Sequence, residues 1–249
     1  MPSFASYPSL KDRSVFISGG GSGIGASIVE HFAAQGSKVG FVDIDEPASK
    51  AIAAKTGALF IKCDIRDVKA YQAAIGEVAG KHGPITALVN NAARDDRHEL
   101  EDVTPEFFDE RIAVNLRHAF FAIQAVAPGM KKAGGGSIVN FSSISYHTMT
   151  ANLSVYQAAK AATIGMTRGL ARDLGPDRIR LNSITPGWIM TQRQIDLWLT
   201  PEAEADLMKA QVLKEKVYPP DIARMALFLA ADDSQLISGQ NFVVDGGRM

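Results

Sequence analysis

Residues 14–25 read SVFISGGGSGIG. A short apolar run leads into a cluster with Gly19, Gly23 and Gly25 in the order G-x-x-x-G-x-G, and a helical pattern follows over 24–35. Glycines between a strand and a helix permit a tight turn, and they let backbone N–H groups and the helix N-terminus approach a pyrophosphate. A merely flexible turn is the plain alternative. A phosphate loop of the form G-x-x-x-x-G-K-[ST] does not fit, because Ala26 follows the last glycine and no lysine stands there to reach a terminal phosphate. The spacing points to a dinucleotide.

The pattern of this stretch continues along the whole chain. Apolar runs SVFI, KVGFVD, LFIKCD, ITALVNNA, SIVNFSS, RLNSITPG and NFVVD alternate with helical segments. Continuous apolar runs suit strands buried on both faces, and right-handed crossovers put helices on both sides of a parallel sheet. The expectation is an α/β, doubly wound fold: seven parallel strands in a single domain over 1–249. One long helix is expected over about 104–130, and two more between RLNSITPG and NFVVD. Residues 189–220, bounded by PGWIM and the YPP turn, form the longest insertion and are expected to be a substrate lid.

Composition narrows the function classes. The 249 residues are 46% hydrophobic and 21% charged with a formal charge of −1, so no basic field favours nucleic acid. The N-terminal MPSFASYPSLKDR lacks an apolar signal core, and no segment approaches the ~18 uncharged residues of a membrane span. A cytoplasmic protein without membrane partners is expected. The single cysteine, Cys63, reads as a small core residue. Five scattered histidines offer no metal-ligand spacing, and no metal is expected.

The second strand ends FVDID, where Asp43 can accept hydrogen bonds from adenosine ribose hydroxyls and repel a 2′-phosphate. NAD is therefore favoured, with NADP still open; helix capping is the alternative for Asp43 and Asp45. Asp64, after the third strand, could meet the adenine edge or cap the next helix. Further on, SVYQAAK at 154–160 puts Tyr156 and Lys160 four positions apart, about 6 Å along one helix face. A cation there would favour phenolate over phenol. A surface tyrosine beside a solvated lysine is the alternative.

Taken with Asn90-Asn91-Ala92, Asn115, Ser143 and Pro186-Gly187, these residues occur in an order and spacing that resemble the short-chain dehydrogenase/reductase family, from residue 10 to the C-terminal SGQNFVVDGG. Ser18 stands where threonine is frequent and Ala93 where glycine is usual. The resemblance implies a Rossmann-type fold, an NAD(P)-dependent oxidoreductase and a homotetramer. It implies that Tyr156 is the general base, that Lys160 supports the phenolate and hydrogen-bonds the nicotinamide ribose, and that Ser143, in preference to Ser142, holds the reacting oxygen. It gives Asn115, a polar point inside AVNLRH that would interrupt a helix, a water path from Lys160; a buried asparagine tying helix to strand is the alternative. Cofactor contacts are carried onto Gly19, Ser22, Gly23, Ile24 and Gly25 in the turn, and onto Asp43, Ile44, Asp64 and Ile65 after the next strands. Asn91 and Ala92, then Pro186, Gly187, Ile189 and Thr191, complete that set with Tyr156 and Lys160. Asn90 is expected to brace the central strands through backbone contacts, and Ile189 could equally be core packing.

Ligands bind outside the carboxyl ends of such strands, so the loops ARDDRHEL, SISYHTMT and WIMTQRQ should meet the substrate. They are polar. Asp95, Arg97, His98, Ser145, His147, Gln157, Trp188 and Arg193, with Ser143, could satisfy several hydroxyls, which favours a small polyol or sugar over a sterol or acyl chain. The stretches YPSLK, DDRHEL, ERIAVNLRH and QAVAPGMKK resemble bacterial aldose 1-dehydrogenases of the D-xylose and L-arabinose type, implying oxidation of a cyclic aldopentose at C1 to the lactone. A reductase of 3-oxoacyl thioesters is the competing enzyme. A dinucleotide-sensing module or an inert helical scaffold would not need Ser143, Tyr156 and Lys160 together.

Overall fold

The apolar runs assemble as strands β1 Ser14–Ser18, β2 Lys38–Asp43, β3 Leu59–Lys62, β4 Ala87–Asn90, β5 Gly136–Phe141, β6 Ile179–Pro186 and β7 Asn241–Val244 in a computed structural model describing residues 4–249. They form one parallel sheet in the order β3-β2-β1-β4-β5-β6-β7, a Rossmann-type doubly wound arrangement. The order reverses at β1, whose neighbours β2 and β4 lead their chains to opposite sides. A crevice is left beyond the carboxyl ends of β1 and β4, where such sheets place ligands.

Alternation along β1 shows how both faces are filled. Val15 and Ile17 pack into one apolar layer with Ile28, Val29 and Phe32 of helix α1 (Gly23–Ala34) and with Ile222, Ala226 and Leu229 of α9 (Pro219–Ala230). Phe16, pointing the other way, packs with Tyr71, Ile75 and Val78 of α3 (Val68–His82) and with Ile123, Val126 and Met130 of α5 (His118–Lys132). Each such fully buried large side chain contributes about 1.5–3 kcal/mol relative to exposure. Cys63 sits in the second layer just after β3, where burial pushes its thiol up to about 11. Among the described residues, no helix is long and apolar enough to cross a membrane.

Two expectations about elements need correction. The long helix over 104–130 is three pieces: α4 Pro105–Ile112, a π-helical turn Ala113–Arg117, and α5. The interruption centres on Asn115. The Arg111 carbonyl, the partner an ordinary i→i−4 bond would give the Asn115 N–H, accepts at 3.0 Å from the Asn115 side-chain amide. Between β6 and β7 there are three helices rather than two, α7 Gln192–Trp198, α8 Pro201–Ala210 and α9. Thr191 and Thr200 each accept a backbone N–H at the start of the first two, so the amphipathic LTPEAEADLMKAQVL at 199–213 holds a helix with its own N-cap. The remaining helices are α2 Glu46–Thr56 and α6 Ser154–Leu174. Asp45 caps α2, whereas Asp64 caps nothing helical: Asp67 accepts from Ala70 at the start of α3.

Candidate active site

A cavity of about 720 Å³ opens along the crevice and runs from the glycine turn to α7. At one end, Gly19 has φ +72°, and a Cβ there would lie 2.8 Å from the Ala92 Cα. A Cβ on Gly25 would lie 1.7 Å from the Gly19 carbonyl oxygen, so the helix can pack on the turn only without a side chain. Ser22 precedes α1 in extended conformation and its hydroxyl caps no backbone amide. The first N–H groups of α1 therefore keep their capacity for an anion, and this cradle fits a dinucleotide pyrophosphate.

The turn is held from β4. Asn91 donates its side-chain amide to the carbonyls of Ser18 (3.1 Å) and Gly19 (2.9 Å), while the Ser18 hydroxyl accepts from the N–H groups of Asn91 and Ala92. Serine thus serves where threonine is frequent. Asn90 braces the sheet through its side chain, correcting the backbone expectation: its amide donates to Asn140 Oδ1 at 2.8 Å, and Asn140 in turn donates to Thr167 of α6.

Asp43 ends β2 with Oδ2 accepting from the Gly21 N–H at 2.8 Å and Oδ1 from the Asp45 N–H at 3.0 Å. Those bonds fix the carboxylate against the glycine turn. Ile44, Asp64 and Ile65 follow on the same wall, with Ser22, Gly23 and Ile24 facing them from the turn. The Asp64 carboxylate is engaged by the Arg66 guanidinium, which holds it below the usual carboxylate range. On the far side, Pro186, Gly187, Ile189 and Thr191 line the wall. Ile189 is also packed in the core beside Val217, so both readings of it describe one side chain.

Tyr156, Lys160 and Ser143 come together midway along the cavity. Lys160 is buried, its ammonium 5.6 Å from the Tyr156 ring centroid, and it donates to the Phe141 carbonyl at 2.9 Å. Ser142 donates to the Lys160 carbonyl and is occupied in positioning α6, whereas the Ser143 hydroxyl accepts from the Ser145 N–H at 3.2 Å and lines the cavity with Tyr156. Burial lowers Lys160 to about 8, with the nearby Asp95 carboxylate opposing. Burial also holds the Tyr156 phenol above its ordinary value; Asp95 adds to that, while the Ser143 hydrogen bond and the guanidiniums of Arg193 and Arg97 oppose it. Asn115 does not line the cavity. Its side chain bonds both the N–H and the carbonyl of Arg94, tying the π turn to the loop after β4 rather than to a strand.

Of the polar loop residues, Asp95, Arg97, Ser145, Trp188 and Arg193 line the cavity. His98, His147 and Gln157 do not: His98 bonds the Ser154 hydroxyl, His147 stacks at 4.3 Å on Tyr146, and Gln157 donates to the carbonyls of Ser145 and Thr150. Their side chains secure the loop before α6. The cavity also takes in Leu153, Gln194, Trp198 and Arg248, which sequence reasoning passed over. Gln194 and Trp198 are one turn apart on α7 and share a face, a spacing present in the sequence; Arg248 carried no such signal.

The family model described as "Enoyl-(Acyl carrier protein) reductase" matches residues 19–248. The chain belongs to the short-chain dehydrogenase/reductase family. Two curated members of this family span almost the whole chain. "Probable galactose dehydrogenase GalD" of Rhizobium meliloti is 51% identical over 97% of this chain and 96% of its own length. A D-xylose 1-dehydrogenase of Caulobacter vibrioides is 48% identical over 98% and 99%. Among solved structures, a blue fluorescent protein from a metagenomic library in complex with NADPH superposes with a TM-score of 0.89 at 33% identity, covering 96% of this chain and 99% of that one. As a short-chain dehydrogenase, the chain keeps the tyrosine, lysine and serine of the family pattern in one cavity.

Proposed function

We propose that the protein oxidises the C1 hydroxyl of a cyclic aldopentose, of the L-arabinose or D-xylose type, to the lactone with reduction of NAD. The observation that carries this reading is the polar wall facing Tyr156: Asp95, Arg97, Ser145 and Arg193 offer donors and acceptors to ring hydroxyls, whereas an acyl chain would want an apolar wall. The similarity to dehydrogenases described for galactose and D-xylose supports an aldose. L-arabinose and D-galactose share ring configuration at C2, C3 and C4, and D-xylose inverts only C4, so one pocket serves all three with graded fit.

In this reading Ser143 donates a hydrogen bond to the C1 oxygen and Tyr156, as phenolate, takes its proton. The C1–H bond breaks as hydride leaves, and the C1–O bond becomes the lactone carbonyl. A bound oxidised nicotinamide would supply the hydride acceptor and a positive charge that favours the phenolate. Lys160 spends one of its three ammonium protons on Phe141 and keeps two to orient a ribose and the phenolate. The glycine turn and the α1 N-terminus take the pyrophosphate, and Asp43 takes the adenosine ribose. Asn115 fixes the loop carrying Asp95. The α7–α8 segment acts as the lid, and the enzyme works in the cytoplasm as a homotetramer.

The test is a panel of D-xylose, L-arabinose, D-galactose and 3-oxoacyl thioesters, followed by nicotinamide absorbance with NAD(H) and NADP(H). Aldose-dependent NADH formation is expected. Thioester reduction without aldose oxidation would overturn the assignment in favour of an acyl reductase.

A further inference from the structure

The loop after β4 and helix α7 meet across the cavity mouth, with the Asp95 carboxylate at the centre of the contact. Asp95 Oδ1 accepts from the Arg193 guanidinium, 98 positions along the chain, and Oδ2 accepts from the Gln194 amide at 2.9 Å. Gln194 is itself held by the Trp188 indole N–H at 2.9 Å. Arg193 also reaches Asp96 at 3.6 Å, and Arg97 from the same loop lies 4.9 Å over the Trp198 ring at the other end of α7. Asp95, Arg193 and Tyr156 line the same cavity.

We propose that Arg193 and Asp95 are positioning residues for proton transfer: the guanidinium carried by α7 masks a carboxylate that would otherwise oppose the phenolate of Tyr156. The inference rests on Tyr156 being the proton acceptor. An unmasked carboxylate in the same cavity disfavours a second anion, and a guanidinium bound to it offsets that field. The charged groups around Tyr156 come from every element packed there: Lys160 on α6, Asp95 and Arg97 on the loop after β4, and Arg193 on α7. Asp96 is occupied by Arg94 and Arg111, and His118, behind Lys160, is uncharged at neutral pH because burial lowers it to about 3. Asp95 is thus the carboxylate acting on both members of the Tyr156 and Lys160 pair. The contact between α7 and the loop thus places the compensating charge beside Asp95.

The prediction concerns the titration of Tyr156, read from its Cζ resonance in tyrosine-labelled protein with Tyr156→Phe assigning the signal. No sugar is needed, so a failed substrate panel leaves this test intact. Arg193→Gln should move the onset of titration upward by roughly one pH unit, Arg193→Lys should move it much less, and Asp95→Asn should move it downward. The double variant Asp95→Asn/Arg193→Gln should return the onset close to that of the unmodified protein, because the two opposed charges at Tyr156 are removed together. An unchanged onset in both single variants, or a double variant that keeps the whole shift of one single variant, would overturn the proposal.

Discussion

Tyr156 and Lys160 stand one turn apart in a cavity, and burial pushes each toward its neutral form. A dry phenol is a poor base, so the pair depends on the charges placed around it. Tyr156→Phe should remain folded and bind NADH while losing about 10²- to 10⁴-fold in kcat, measured by steady-state rates beside a binding titration. A folded Phe variant with near-normal turnover would remove Tyr156 from the chemistry. Cofactor choice belongs to the same scale. Asp43 is pinned by the N–H groups of Gly21 and Asp45, and on the proposed reading its carboxylate meets the adenosine ribose. Asp43→Ser should reduce the preference of kcat/KM for NAD over NADP by about tenfold or more; an unmodified protein that already prefers NADP would contradict that reading. These residues were legible because each motif ties a residue type to a fixed spacing. The cavity partners of Asp95 were not, since an ion pair spanning 98 positions leaves no local pattern.

The elements that present those residues were legible where one rule governs a whole segment. Strand after strand follows the apolar runs because a parallel sheet buried on both faces tolerates little else. The break at Asn115 was visible as a polar point inside AVNLRH, but its π geometry depends on Arg94, which only the folded chain brings near. The three-helix return to β7 was undercounted because α7, only seven residues long, precedes the amphipathic stretch that forms α8 and has its own Thr cap. The glycine turn gives the sharpest test at this scale. Gly25→Ala should destabilise the protein by about 2 kcal/mol or more and weaken dinucleotide binding at least about tenfold, because its Cβ has no room beside the Gly19 carbonyl. Gly76→Ala, in α3 with open space around it, should instead stabilise by about 0.5–1 kcal/mol. Thermal melts and dinucleotide titrations of the two variants measure both effects, and equal behaviour would contradict the account of the turn.

For the whole molecule, the doubly wound sheet puts the end of every catalytic element on one edge, and burial there carries a pH signature. His118 is fully enclosed between Tyr71 and the Lys160 region and is lowered to about 3 from an ordinary value near 6.5. The unfolded chain therefore binds a proton that the folded one refuses, and the stability His118 contributes is present above about 6.5 and is lost as pH falls toward 3. His118→Phe should flatten that acid limb in denaturant melts across pH 3–7; a slope unchanged from the unmodified protein would contradict it. Fold and chemistry can be followed from sequence to this edge, whereas the identity of the sugar depends on hydroxyl partners contributed by three separate loops. The most direct measurement of the central claim uses D-xylose and L-arabinose deuterated at C1 with NAD. The account predicts lactone formation, deuterium delivered to the nicotinamide and a primary isotope effect on kcat/KM. Turnover with deuterium retained at C1, or none with either sugar while a thioester is reduced, would contradict it.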